Sequence, residues 1–137
     1  MSISEPPTRG VHHVGLAVSR LEESAAFFTG LLGWRVLRRD PDSPAIFVGD
    51  GRVMLTLWQA EAGARAFDRR RHVGLHHLAL AVDSAAALEA LHARLAAAGV
   101  PIEFPPEPLR GGPARHMMCY EPSGIRVEFI WMPPAPA

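Results

Sequence analysis

A chain of 137 residues is the size of one ordinary domain and can bury a core without disulfide or metal staples. Its 14 basic side chains balance 14 acidic ones and 48% of its residues are apolar, which argues against disorder and against nucleic acid as a partner. All the basic residues are arginine, excluding a lysine Schiff base, and the single Cys119 excludes an internal disulfide.

Residues 1–9, with SEPPT, and 133–137, with PPAPA, read as flexible tails because proline blocks regular pairing there. Between them His12 opens the segment HHVGLAVSRLEESAAFFTGLLGW, a short apolar strand ending at Val18 and then an amphipathic helix ending near Gly33. Ser19 stands where a helix cap is expected. Trp34 to Arg39 and Ala45 to Val48 read as strands, and Asp50-Gly51 as a tight turn into Val53 to Trp58. From Gln59 the pattern lapses through Arg69-Arg70-Arg71, which reads as a solvated connection. His76 then opens HHLALAVDSAAALEALHARLAAAGV, the first segment again at an offset of 64 residues. Ile102 to Phe104, Arg115 to Tyr120 and, after Pro122-Ser123-Gly124, Arg126 to Trp131 complete a second set of strands.

Each copy is therefore βαβββ. One domain is expected over 10–137, with modules at about 11–58 and 75–132 and a linker at about 59–74. No window approaches a membrane span and no leader segment is visible, so a soluble, cytoplasmic protein without membrane partners is expected.

Strand alternation separates the two histidines of each pair. His12, Val14, Leu16 and Val18 form a bulky face, whereas His13, Gly15 and Ala17 form one of small residues. His76, Leu78, Leu80 and Val82 against His77, Ala79 and Ala81 repeat the pattern, as suits strands bordering a ligand cavity. On the last strand Val127, Phe129 and Trp131 pack one way, leaving Arg126, Glu128 and Ile130 on the other face. A strand histidine is more often structural than a ligand. Two imidazoles and a carboxylate on matching faces nevertheless suit a divalent first-row metal, and a buried Glu128 requires a cation or a proton. His12 and His76 are expected to pack or support. In the first copy the place corresponding to Glu128 is Met54, beside Thr56 and Trp58.

With HHVGLAV from His12, FFTGLLGW from Phe27, HHLALAV from His76 and EPSGIRVEF from Glu121, the chain resembles the vicinal oxygen chelate superfamily. Its members include glyoxalase I, fosfomycin-resistance proteins, ring-cleaving dioxygenases, methylmalonyl-CoA epimerase and bleomycin-resistance proteins. The resemblance implies an α+β fold of paired βαβββ modules forming an open, cupped, mixed-sheet barrel with helices outside. It also implies one divalent ion per site (Fe, Mn, Ni, Zn or Co) on His13, His77 and Glu128, and a homodimer, with the three ligands meeting either within one chain or across the interface. The fourth ligand of glyoxalase I falls on Met54, and the tyrosine of ring-cleaving members on Met118, with Tyr120 out of register. Alternation places His116 with Met118, making His116, with Glu128, the catalytic candidate; an exposed histidine at a loop edge is the alternative. Met54, Thr56, Trp58, Met118 and Arg126 are the candidate lining of a small-molecule pocket. The expected activity is a metal-dependent, glyoxalase-like isomerase or lyase. An extradiol-type dioxygenase, a fosfomycin-type thiol transferase and a metal-free drug-binding protein are the alternatives.

Overall fold

A computed structural model describes residue 2 and residues 4–136. Met1, Ile3 and Ala137, part of the expected flexible tails, lie outside the described residues.

The first module runs β1 (His13–Val18), α1 (Leu21–Ala26), β2 (Arg35–Asp40), β3 (Ala45–Gly49) and β4 (Met54–Gln59). The second runs β5 (Leu78–Ala81), α2 (Ala85–Ala97), β6 (Ile102–Pro108), β7 (Arg115–Tyr120) and β8 (Arg126–Trp131). In each, the last strand lies between the first and the third, giving the orders β1-β4-β3-β2 and β5-β8-β7-β6. The first and last strands are parallel and the other pairs antiparallel.

Local chemistry explains most boundaries. Asp50 accepts the N–H groups of Arg52 and Val53 through Oδ1, and Gly51 takes φ +91°, which tightens the hairpin into β4. Ser84 caps α2 by accepting the Ala87 N–H at 2.9 Å. Ser19 does not cap α1: the Arg20 N–H goes to Ser123 Oγ and the Leu21 N–H to Gln59 Oε1, so this helix start is held by tertiary contacts. Beyond Ala26 the helix widens into a π turn over Phe27–Leu31, which lets the adjacent Phe27 and Phe28 both enter the core, Phe28 against Trp34. β6 extends past the expected Phe104 through Pro105 and Pro106, which an edge strand tolerates because its outer N–H positions need no partner.

Leu16, Val18, Ile46, Val48, Leu55 and Leu57 of the first sheet share one buried cluster with Leu88, Leu95, Met117, Val127 and Phe129 of the second module. Of these, Leu16, Val18, Val127 and Phe129 come from the bulky faces defined by alternation. The expected barrel does not form. Strand closure requires an unbroken ladder around all eight strands; here it is interrupted twice, leaving β1 and β2 as edges of one sheet and β5 and β6 as edges of the other. The molecule is two separate mixed four-stranded sheets, joined through the helices, the shared core and the turn around Ser123 rather than through strand pairing.

Candidate functional site

The register of the second sheet gathers a polar centre. Glu128 pairs with Ala79 on one side and Met118 on the other, and His116 stands opposite Ile130, so His116 and Glu128 fall diagonally on one face. Val127 and Phe129 point to the opposite, buried face. Glu128 is only 7% exposed, and an unpartnered carboxylate at that depth would be costly. Its partners are imidazoles: His116 Nδ1 lies 2.5 Å from Oε2 and His77 Nε2 lies 3.2 Å from Oε1. One ring nitrogen thus serves each oxygen.

The flanking contacts extend this order. His77 Nδ1 lies 2.8 Å from His76 Nδ1. When neutral His77 carries its proton on Nε2 toward Glu128, its Nδ1 accepts, so His76 donates from its own Nδ1. Desolvation, followed by Arg126, His77 and Arg69, pushes the His76 imidazole below its ordinary value, opposed by Glu103. The Phe104 ring sits 4.9 Å from that of His116, giving the centre an aromatic border.

The first sheet carries the other group of sequence candidates. His13 is opposite Met54 in the ladder and its Nδ1 lies 2.9 Å from His12 Nδ1. Trp58 Nε1–H donates to Thr56 Oγ1 at 2.9 Å, and both lie over Gly15, where a Cβ would come within 3.2 Å of Thr56 Oγ1. This face is apolar and partly open, with Trp58 41% exposed.

Within one chain the expected metal centre is therefore not assembled. His13 belongs to the first sheet, whereas Glu128 belongs to the second and His77 immediately precedes its strand β5, and the ladders of the two sheets are separate. Among the described residues no group of three His, Cys, Asp or Glu side chains could hold a metal ion. Alternation assigned each side chain to a face but carried no information on the distance between sheets. On the second sheet each carboxylate oxygen is taken by one imidazole, and among the described residues of a single chain the anticipated Fe, Mn, Ni, Zn or Co ion has no ligand set.

Two carboxylates escaped the sequence reading. Glu103 receives Arg126 in a bidentate pair, Nε to Oε1 at 3.0 Å and Nη2 to Oε2 at 2.7 Å, and also accepts the Tyr120 hydroxyl. These bonds outweigh desolvation and hold its carboxyl at about 2. Glu121 is buried beneath the turn before β8, accepting Ser24 Oγ–H at 2.5 Å and the Ser123 and Ile125 N–H groups at 2.6 and 3.0 Å. Burial nevertheless pushes its carboxyl upward. In sequence Glu103 lay in a short strand and Glu121 at the start of a turn motif, with nothing to mark a partner.

The family model for the glyoxalase/bleomycin resistance protein/dioxygenase superfamily matches residues 10–129. A glyoxylase/bleomycin resistance protein/dioxygenase domain from Frankia sp. EAN1pec is 29% identical, with TM-score 0.80 over 92% of this chain and 99% of that one. A candidate glyoxalase from Bacillus halodurans is 32% identical, with TM-score 0.75 over 89% and 95%. Lactoylglutathione lyase from Agrobacterium tumefaciens, 22% identical over 92% and 96% with TM-score 0.72, shares the fold. No curated protein matches the chain significantly. By its description the superfamily comprises enzymes, the glyoxalases and dioxygenases, beside bleomycin resistance proteins, and its fold is one that binds small molecules. Among the described residues no helix is long and apolar enough to cross a membrane. The matched span, together with the repeated β1-β4-β3-β2 and β5-β8-β7-β6 order, establishes that this chain belongs to the glyoxalase/bleomycin resistance protein/dioxygenase superfamily.

Proposed function

We propose that the protein captures a small molecule non-covalently on the open face of its second sheet, with His77, Glu128 and His116 as the polar anchor, in the manner of the drug-binding branch of its superfamily. The observation that carries this reading is the commitment of both Glu128 oxygens to imidazoles. The arrangement is self-satisfied, as a preformed recognition centre should be. Phe104 and Ile130 border it with apolar surface, which suits a planar or aromatic ligand bearing a hydrogen-bonding group. Two copies of the chain would pair so that the first-sheet face of one, with Met54, Thr56 and Trp58, covers this centre in the other. The exposed Trp58, Val36 and Leu37 supply apolar surface for such a pairing.

One observation favours a second reading. His116 Nδ1 is fixed on Glu128 Oε2 at 2.5 Å, leaving Nε2 outside that bond, with Glu107 Oε1 3.9 Å away. A carboxylate that holds an imidazole in one tautomer is the usual support of a general base. In that reading His116 accepts a proton from carbon beside a substrate carbonyl and returns it to the neighbouring position, an isomerisation balanced in atoms and electrons.

Ligand-observed NMR with bleomycin and an aromatic fragment set tests the binding reading. Hits should weaken about tenfold or more in Glu128→Gln and His116→Ala, the size of one lost charge-assisted hydrogen bond. Hits unchanged in both variants overturn it. Isomerisation of a glutathione hemithioacetal, lost in His116→Ala, would move the assignment to the enzyme. A monomer by light scattering would remove the shared face.

A further inference from the structure

A separate cavity lies elsewhere. It has a volume of about 620 Å³, in the range of small-molecule sites, and neither His77, His116 nor Glu128 lines it. Its floor is the β1 strip of Gly15 and Ala17. Its cover is the segment connecting the modules. There Asp68 organises a turn: its N–H donates to His72 Nδ1 at 2.9 Å and its Oδ1 accepts the Arg70 N–H at 2.9 Å. That turn lowers Phe67 and Arg69 onto the cavity, facing Tyr120 and Arg126.

The electrostatics are unbalanced. Arg69 and Arg126 share one carboxylate, Glu103, with Arg69 Nη2 at 3.6 Å from Oε1 and Arg126 bidentate. Arg69 Nη1 also donates to Tyr120 Oη at 3.2 Å. Arg65 and Asp68 border the cavity too, so three guanidiniums stand against two carboxylates. The side chains of Arg126 and Arg69 are only 12% and 20% exposed, so their charges are less screened than free surface arginines. Each guanidinium has five N–H donors, and the bonds described occupy at most two on each. A cationic surplus with unspent planar donors fits a carboxylate or a phosphate. Phe67, Leu75 and Ile125 supply the apolar wall beside it.

We infer that this cavity is a second ligand site, selective for a small organic anion, a carboxylate or a phosphate monoester on an aromatic or apolar body, with Arg69 and Arg126 receiving the anionic group. It uses none of the three residues of the proposed anchor and touches it only through His76, whose Nδ1 lies 2.8 Å from His77 Nδ1.

The test is ¹⁹F NMR titration of the full chain with 4-fluorobenzoate, 4-fluorophenyl phosphate and the neutral 4-fluorobenzyl alcohol. At least one anion should bind about tenfold or more tightly than the alcohol, and the stronger anion decides between carboxylate and phosphate. Arg69→Gln should weaken it about tenfold, Arg69→Lys less, and His116→Ala not at all. In the unmodified protein, amide shifts should cluster at residues 65–69, 75–76 and 120–126, which requires no variant to fold. Equal binding of the alcohol, no binding of either anion, or anion binding lost in His116→Ala but kept in Arg69→Gln overturns the inference. The last outcome would leave the anchor intact.

Discussion

Glu121 is the most demanding test of how the two modules are held together. The Arg20 N–H donates to Ser123 Oγ, the Ser123 hydroxyl to Ser24 Oγ at 2.6 Å, and the Ser24 hydroxyl to Glu121 Oε2, a relay from the start of α1 into the second module. Glu121→Ala strands three donors: the buried Ser24 hydroxyl and the Ser123 and Ile125 N–H groups. Stranded donors cost about 1–3 kcal/mol each, and water can reach the two loop N–H groups, so the expected loss is about 4 kcal/mol. At about 2.1 cal/mol/K per residue this lowers Tm by about 14 °C. Glu121→Gln keeps the acceptor for both N–H groups and avoids burying a charge, so it should stay within about 1.5 kcal/mol of the native protein. Because burial raises the Glu121 carboxyl above its ordinary value of 4.5, the folded state disfavours its ionised form. The native protein should therefore gain stability relative to Glu121→Gln as pH falls through the raised value toward 4.5, and lose it as pH rises. Thermal melts of the three proteins between neutral pH and pH 4.5 read both effects. An alanine variant within about 1 kcal/mol of native, or a glutamine difference independent of pH, would refute the reasoning.

Glu103 behaves oppositely: held at about 2 by Arg126, it stabilises the fold above its ordinary 4.5, and this contribution is lost as pH falls toward 2. Glu103→Gln should flatten acid unfolding in that window, and an unchanged acid limb would count against the pair. Gly15→Val crowds Thr56 Oγ1 and the Trp58 ring, so the Trp58–Thr56 bond should open at a cost of about 1 kcal/mol, seen as a shift in tryptophan emission. The Cys119 thiol, buried between the sheet and α2 and pushed up to about 12, should resist Ellman's reagent at mildly alkaline pH until the protein unfolds. Reaction at the rate of an exposed thiol would show that β7 is not packed as described.

The superfamily, the βαβββ repeat, the bulky and small faces of β1 and β5 and the Asp50-Gly51 turn were all legible in the sequence, because each is a local pattern of period 2, period 3.6 or turn chemistry. The helix start at α1 was not, since its caps, Gln59 and Ser123, lie far along the chain. The same limit governed the site. Alternation put His13, His77, His116 and Glu128 on the small-residue or polar faces, but only tertiary structure decided which of them meet. His77 and His116 close on Glu128 because β5, β7 and β8 share a ladder, whereas His13 is carried by a sheet whose ladder ends at β1. A face is set by the pleat of one strand, and a distance by the packing of whole elements. For that reason the residue types that suggested a metal centre assemble within one chain into an imidazole–carboxylate–imidazole cluster, and the barrel implied by the family resemblance gives way to two separate sheets.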